Sequence, residues 1–301
     1  MSFNATPDGV LLLDKPAGIT STRALAAAKR VLAAAKGGHT GTLDPFATGL
    51  LPLVFGEATK FSRFLIDSTK AYEATLSLGE ETPTGDPESP VTRRSGEVPD
   101  FVKIDEVLCS FEGVQHQIPP MHSALHVGGR RLYEYAREGV EVAREPRSIE
   151  ILELKRLGLG DNKLVVSVRC SKGTYVRVLA ADIGRALGCG AYLTALRRTQ
   201  VGPFSLQSAV ASAELAARGE AWGRSRLLPV PALVSELSRL GASSEQAGRF
   251  RHGRDIEAGG FSTGQPVAIF AADGEFLGVA EARGDGWLAP LRLMAEHTEI
   301  A

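Results

Sequence analysis

Asp44 is the one carboxylate in a stretch of small, apolar and turn-forming residues, and the next acid along the chain is Glu57. Gly41, Pro45 and Gly49 surround it at spacings that favour a loop with a restricted backbone. Such a loop can present a carboxylate to a ligand. An aspartate before proline also commonly accepts hydrogen bonds from turn amides. The spacing alone leaves a ligand-binding carboxylate and a structural turn as equal alternatives.

Two later segments also carry side chains suited to a ligand. Tyr72 stands at the start of a predicted strand, where its ring can pack in the core or belong to a site. Lys172, Tyr175 and Arg177 surround Gly173, whose backbone freedom allows a sharp turn. These three side chains could converge on an anion or a stacked base, or they could form a polar connection between a strand and a helix.

A basic pair forms the last cluster. Arg197 and Arg198 precede a tight turn, and such a pair suits phosphate contact, although many surfaces carry one. Residues 120–200 contain 14 Lys and Arg against 8 Asp and Glu, while the whole chain has a net charge of −1. This local excess of positive charge is typical either of a face that binds a polyanion or of a solvated surface with paired charges.

The elements that must position these residues follow from hydrophobic periodicity. Val10–Leu13 predicts a buried strand. Thr20 or Ser21 begins a helix that the pair Gly37 and Gly38 is expected to end.

The predicted strands continue in the middle of the chain. Tyr72–Leu78 alternates apolar and polar residues with a period of two, which predicts a half-buried strand. Leu164–Cys170 is rich in β-branched residues and predicts another strand. A helix is expected over Val178–Leu187, with Gly188 after it.

Near residue 228 the sequence changes to short β-like runs separated by turn residues, which is typical of a separate small β domain. Pro266–Ala271 and Glu275–Ala280 are short apolar runs, and Asp273 and Gly274 between them predict a hairpin turn. Trp287–Leu293 is a candidate last strand.

Composition restricts the class of protein. The 301 residues suit about two domains, and the longest apolar tract is too short to span a bilayer. Three scattered cysteines and six dispersed histidines predict neither a disulfide framework nor a metal site. No dinucleotide or triphosphate motif is present, and no secretion signal precedes the first strand. These features predict a cytoplasmic protein that works without a cofactor.

Seven segments, in order along the chain, resemble the motifs of the bacterial tRNA pseudouridine-55 synthase family. They are Gly9–Ser21, Gly38–Gly49, Lys70–Tyr72, Gln117–Pro120, Leu132–Arg137, Lys172–Arg177 and Leu196–Thr199. The second resembles the catalytic-aspartate motif of that family. Seven ordered motifs are far more specific than any one of them, and they favour the functional alternative at each site.

The resemblance covers residues 8 to 232, which would form the catalytic domain with its tRNA-binding insertions. It implies an α+β fold, in which helices flank a mixed and mostly antiparallel sheet. Residues 235–296 resemble, more weakly, a small RNA-binding pseudo-barrel of the PUA type. The implied activity is isomerisation of uridine 55 in the T-arm of tRNA to pseudouridine. The expected protein is a monomer that needs no cofactor, metal, membrane or obligate protein partner.

The same resemblance assigns roles to individual residues. Asp44 would be the nucleophile, and Arg177 would pair with it and lower its pKa. Tyr72 would stack on the flipped uracil and help to remove the C5 proton. The other residues expected to bind the substrate are His39, Tyr175, Leu196, Lys15, Lys172 and Arg197. Among them, Lys15 is expected to support the loop of Asp44 more than to touch the base.

Two rival functions fit part of the same pattern. One is a non-catalytic RNA-binding protein that uses the same cleft, and the presence of Asp44 and Arg177 argues against it. The other is a synthase within a guide-RNA complex, which would normally need partner-binding extensions before a first motif that here begins at Gly9. His122 and His126 stand where many relatives have Tyr and Lys, so the resemblance assigns them no phosphate contact.

Overall fold

The computed structural model describes residues 7–95, 99–123 and 125–295. In chain order the strands are β1 (Gly9–Lys15), β2 (Gly37–His39), β3 (Thr48–Phe55), β4 (Lys70–Leu78), β5 (Glu80–Glu81), β6 (Arg93–Arg94), β7 (Gly113–Gln117), β8 (His126–Val127), β9 (Arg130–Arg131), β10 (Arg147–Gly160), β11 (Lys163–Cys170), β12 (Ala191–Val201), β13 (Phe204–Ser205), β14 (Val210–Ala211), β15 (Ser238–Gly241), β16 (Ile256–Glu257), β17 (Pro266–Phe270), β18 (Phe276–Ala282) and β19 (Trp287–Leu293).

The helices are α1 (Ser21–Val31), α2 (Ser62–Ile66), α3 (Phe101–Ser110), α4 (Leu132–Arg137), α5 (Val176–Leu187), α6 (Ser212–Ser225) and α7 (Ser244–Arg251). Short 3₁₀-helices lie at Gly56–Phe61, Leu206–Ser208 and Val230–Val234.

Ten of these strands form one large sheet in the part of the chain that the structure describes. Its main path is β14-β1-β3-β12-β4-β11-β10-β7, with β2 beside β3 and β13 beside β12. Only the β1–β14 and β3–β12 pairs of this sheet are parallel among the described strands. The predicted α+β class with a mixed, mostly antiparallel sheet is therefore confirmed.

Both faces of the large sheet are covered, so its central strands are apolar on both sides. On β1, Leu11 and Leu13 join a core with helices α1, α3, α5 and α6, while Val10 and Leu12 face the opposite layer. This explains why the first predicted strand is a continuous apolar run and lacks a period of two.

The opposite layer joins the large sheet to the C-terminal sheet. That second sheet has the order β15-β17-β18-β19-β16. The ring of Phe276 on β18 lies 5.2 Å from the ring of Phe61, measured between centroids. The Glu57 carboxylate accepts a 2.8 Å hydrogen bond from the backbone N–H of Ala295. One apolar layer thus belongs to both sheets, and the predicted division into residues 8–232 and 235–296 stays a prediction; residue 296 lies outside the described residues.

One of the two expectations about the first helix needs correction. Thr20 is the N-cap, as predicted, and its side chain accepts a hydrogen bond from the backbone of Arg23. The helix ends at Val31, well before the glycines, because Ala33 takes a left-handed conformation with φ of 51°. Gly37 and Gly38 belong to strand β2.

Candidate active site

The loop of Asp44 connects β2 to β3, and its backbone is held at several points. The Ser21 hydroxyl, at the start of α1, accepts a 2.8 Å hydrogen bond from the Leu43 N–H and donates a 3.1 Å bond to the Leu43 carbonyl. On the other side of Asp44, the Pro45 carbonyl accepts a 2.8 Å bond from the N–H of Gly18. The residues before and after the carboxylate are therefore both anchored to the end of β1 and the start of α1.

Lys15 lies directly behind this loop and is fully buried. Its ammonium donates to three carbonyl oxygens: Pro16 at 2.9 Å, Ile19 at 2.8 Å and Pro45 at 3.3 Å. Burial lowers its pKa to about 8, although the Asp44 carboxylate opposes that shift. This side chain therefore supports the loop.

Arg177, the second residue of α5, reaches Asp44 from the other side of the cleft. Its Nε lies 3.0 Å from Asp44 Oδ2, and its Nη1 lies 2.8 Å from Asp86 Oδ2. Its Nη2 donates a 2.8 Å hydrogen bond to the carbonyl of His122. The side chains of Arg177 and Asp86 are 5% and 2% exposed, whereas that of Asp44 is 33% exposed. A buried guanidinium thus holds a carboxylate that remains accessible to a ligand.

Asp86 is a member of this cluster that the sequence did not reveal. Its Oδ1 accepts hydrogen bonds from the Thr84 hydroxyl at 2.6 Å and from the Glu88 N–H at 3.0 Å. Both oxygens of Asp86 are therefore occupied, one by its own loop and one by Arg177. In the sequence Asp86 is one of several acids in a loop rich in glycine, proline and threonine, which resembles any surface loop.

The electrostatic state of Asp44 differs from the expectation. Burial raises the pKa of Asp44 above its ordinary value of 3.8, and the Arg177 guanidinium opposes this rise without cancelling it. The nearby carboxylate of Asp86 adds to the rise. The predicted lowering influence of Arg177 on the pKa is present, but loss of water around the loop outweighs the ion pair, so the net shift is upward.

Two tyrosines lie near this pair. Tyr72 is half-buried on β4, directly opposite Arg198 of β12, and burial raises its pKa. Tyr175 is the N-cap of α5, and the Gln117 amide holds its backbone by accepting from its N–H at 2.8 Å and donating to its carbonyl at 3.2 Å. The Asp44 carboxylate contributes to the pKa of both phenols, after burial as the main cause.

His39 lies on β2 and Leu196 lies on β12, and both of these strands pair with β3. His39 ends β2, and its buried Nδ1 has no hydrogen-bond partner within the described residues. Burial, with the charge of Arg198, lowers its pKa, which favours the neutral imidazole. Leu196 on β12 is 7% exposed and pairs with Ala74 of β4, so it contributes apolar surface beside Tyr72.

The two predicted phosphate-binding residues are each paired with an acid. The Lys172 ammonium, which is mostly exposed, lies 2.8 Å from the Asp67 carboxylate. Arg197 donates to both oxygens of Asp14, at 2.7 and 3.3 Å. Both pairs are accessible to solvent, and neither contacts Asp44 directly.

Nowhere in residues 7–95, 99–123 and 125–295 do three or more His, Cys, Asp or Glu side chains come together as potential metal ligands. Within the same residues, no helix has the length and apolar character needed to cross a membrane.

Residues 29–176 match the family described as TruB family pseudouridylate synthase (N terminal domain). The tRNA pseudouridine synthase B of Dechloromonas aromatica (strain RCB) is 53% identical over 287 residues, which cover 95% of this chain and 95% of that protein. This chain belongs to the TruB family of pseudouridylate synthases. The tRNA pseudouridine synthase B of Thiobacillus denitrificans (strain ATCC 25259 / T1) is 50% identical to it over 96% of both proteins.

Two further family models match later parts of this TruB-family chain. Residues 177–235 match the tRNA pseudouridylate synthase B C-terminal domain, and residues 242–294 match the C-terminal region of pseudouridine synthase II TruB. A solved structure of a Cbf5-Nop10-Gar1 complex contains a chain with a TM-score of 0.76 and 26% identity, covering 96% of this chain and 84% of that one. The predicted family and the pseudouridine synthase fold, with its small C-terminal β domain, are confirmed, and the protein is an enzyme of this class.

Proposed function

We propose that this TruB-family enzyme converts uridine 55 in the T-arm of tRNA to pseudouridine, with Asp44 as the nucleophile. The observation that carries the proposal is the 3.0 Å pair between the partly exposed Asp44 carboxylate and the buried Arg177 guanidinium. The curated relatives at 50–53% identity are named tRNA pseudouridine synthase B, which supports tRNA as the substrate. In this proposal the enzyme acts as a monomer without an obligate protein partner.

The reaction rearranges one nucleotide and neither adds nor removes atoms. The N1–C1′ glycosidic bond breaks, the uracil turns, and a C5–C1′ bond forms while the C5 proton leaves and N1 gains one. Asp44 must be ionised to act as a nucleophile on C6 of the base or on C1′ of the sugar. The anchored backbone on both sides of Asp44 holds the carboxylate in place before the substrate arrives.

The target base must leave its stack before it can reach Asp44, which costs a few kcal/mol. In the proposal Tyr72 stacks on the extruded uracil, and an aromatic platform returns about 1–3 kcal/mol. Tyr175 and Leu196 form the walls of the base pocket, and His39 fills the vacated stack or contacts the flipped nucleotide. Tyr72 also helps to remove the C5 proton.

The RNA duplex around the target would be held by cations outside the pocket. Lys172 and Arg197 supply accessible positive charge on the two sides of the cleft. Residues 8–232 would form the catalytic unit, and residues 235–296 would contact RNA further from the target. Phosphate contacts of this kind weaken as salt concentration rises.

The decisive experiment maps pseudouridine in tRNA transcripts incubated with the purified enzyme, together with tritium release from C5-labelled uridine. The expected result is one new pseudouridine, at position 55. Tight binding without conversion would favour the non-catalytic RNA-binding alternative, and conversion only in the presence of an added guide RNA would favour the guide-dependent one. Either result, or modification at another position only, would overturn the proposal.

The pH dependence of the rate follows from the raised pKa of Asp44. Acid protonates the nucleophile, so the single-turnover rate at subsaturating enzyme, which reports the free protein, will fall on the acidic side with an apparent pKa above 3.8. Protonation of this group does not itself unfold the protein, because the folded state binds that proton more tightly than the unfolded state. Rates measured under single-turnover conditions across the acidic range, with circular dichroism at each pH, test this. An acidic limb at or below 3.8 would contradict it.

Asp86→Asn should slow the reaction on the order of 10²-fold, with little change in tRNA affinity. The amide cannot balance the Arg177 charge, and small displacements of a catalytic group have effects of this size. Single-turnover rates at saturating enzyme, alongside filter-binding affinities, separate the two quantities. Asp273→Asn, in the exposed hairpin between β17 and β18, is a matched control. An unchanged rate in Asp86→Asn would show that Arg177 keeps its position without this partner.

Lys172→Ala should weaken tRNA binding without a comparable loss of the saturated rate. If the ammonium contacts one phosphate in the complex, affinity will depend less steeply on salt without it. The magnitude of the slope of log affinity against log salt will be smaller by about 1. Binding titrations between low and moderate salt measure that slope. A slope identical to that of the wild type would remove Lys172 from the RNA contact surface.

A further inference from the structure

Arg198 is the largest fully buried side chain of the described residues, with 1% of its surface exposed. Within the part of the chain that the structure describes, no carboxylate lies within ion-pair distance of its guanidinium. A buried, unneutralised arginine costs stability unless its hydrogen bonds are well satisfied. The expectation that the basic pair contacts phosphate therefore fails for Arg198, which has no access to RNA in this structure.

The hydrogen bonds of Arg198 connect the two ends of the Asp44 loop. Its Nε donates a 2.7 Å bond to the carbonyl of Leu50, on β3 after the loop. Its Nη2 donates a 3.1 Å bond to the carbonyl of Gly41, just before Asp44. One planar guanidinium thus sets the distance between the strand that leaves the loop and the residue that leads into it.

The backbone of Arg198 is itself held against β3. Arg198 pairs with Gly49, and a Cβ on that glycine would lie 2.3 Å from the Arg198 carbonyl oxygen. Gly49 also has φ of +100°, which disfavours any side chain there. The close approach leaves the guanidinium little freedom to move away from the loop.

The third neighbour of Arg198 is Tyr72. The two residues are directly opposed in the β4–β12 pairing, so their side chains leave the same face of the sheet. Burial raises the pKa of the Tyr72 phenol, and the positive charge of Arg198 is the main influence that opposes this. Arg198 therefore faces both the aromatic residue and the loop of the proposed nucleophile.

We propose that Arg198 is a positioning residue that aligns Tyr72 with the Asp44 loop from behind the base pocket. It touches no substrate atom and acts through those two groups. The inference rests on the proposed function, since its readout is uridine isomerisation. A positioning role differs from a purely structural role in one measurable way: the effect of Arg198 on the rate must depend on the hydroxyl of Tyr72.

The test combines Arg198→Lys with Tyr72→Phe in a double-mutant cycle on single-turnover tritium release. Lysine keeps the charge but cannot reach both carbonyls with a planar fork. We expect Arg198→Lys to lose about tenfold or more in rate while tRNA affinity and its salt slope stay within twofold of the wild type. The double variant should lose less than the product of the two single losses, because both changes disturb the same alignment.

Arg218→Lys, in the exposed ion pair with Glu214 on α6, is the matched control. Three results would overturn the inference. They are an unchanged rate in Arg198→Lys, a rate loss in the double variant equal to the product of the two single losses, and a loss confined to tRNA affinity. Arg198→Gln provides a second substitution that keeps a hydrogen-bond donor without the charge. If neither variant folds, Arg198 is a structural residue and the inference fails. A wild-type enzyme that does not isomerise tRNA would instead refute the proposed function.

Discussion

Replacing Asp44 by asparagine will abolish isomerisation while tRNA binding remains. The amide has nearly the shape of the carboxylate, and the loop anchors at Leu43 and Pro45 use backbone atoms that the substitution leaves in place. Asparagine lacks the negative oxygen that attacks the substrate in the proposed function. Removal of a nucleophile of this kind commonly costs at least about 10⁴-fold in rate. Tritium release under single-turnover conditions, with filter binding of tRNA, measures both quantities.

The stability of Asp44→Asn provides an independent readout. Because the pKa of Asp44 is raised by folding, its ionised form destabilises the folded state at neutral pH, and this cost disappears when the charge is removed. The variant should therefore melt no lower than the wild type. Asp273→Asn, in the exposed hairpin between β17 and β18, controls for general effects of the substitution. Wild-type turnover in Asp44→Asn would show that another group is the nucleophile.

Arg177→Lys is expected to reduce the saturated rate by about 10²–10³-fold, the usual effect of losing one preorganised charged donor in an active site. Arginine contacts Asp44, Asp86 and the carbonyl of His122 with three different nitrogens. A single ammonium cannot satisfy all three groups at once. The loss should fall on the rate at saturation, because Arg177 is 5% exposed and offers little surface to RNA.

The matched control is Arg185→Lys, on the same helix α5. Arg185 is mostly exposed and pairs with Asp182 one turn away, so this change should leave the rate within about twofold of the wild type. An Arg177→Lys variant that keeps the full rate but binds tRNA weakly would mean that the guanidinium contacts phosphate and leaves Asp44 unaffected.

Much of the site could be predicted from the sequence because its residues lie in short ordered motifs. The pairing of Asp44 with Arg177, 133 positions later, followed from the resemblance and is present in the structure. The strands with a clear period or β-branched composition, such as the one containing Tyr72, were also correct. The helix over residues 178–187 was correct except that it begins two residues earlier, at Val176.

One missed residue and one residue given the wrong role share a physical cause. Asp86 was missed, and Arg198 was expected to contact phosphate, because both depend on partners that are distant in the chain. Strand β12 was missed because it contains two arginines and two register shifts, which interrupt the alternation of apolar and polar residues. The direction in which the pKa of Asp44 shifts depends on how much water the folded loop excludes, and motifs do not encode this.

The apolar layer that the two sheets share has a mechanical consequence. Phe61 packs on Phe276, and the backbone beyond β19 is tied to Glu57, so the C-terminal sheet cannot swing as it would on a flexible tether. Any RNA contact made by that sheet therefore lies at a set span from Asp44. In the proposed function, the position of the modified uridine along the tRNA would then depend on where the C-terminal sheet binds the RNA.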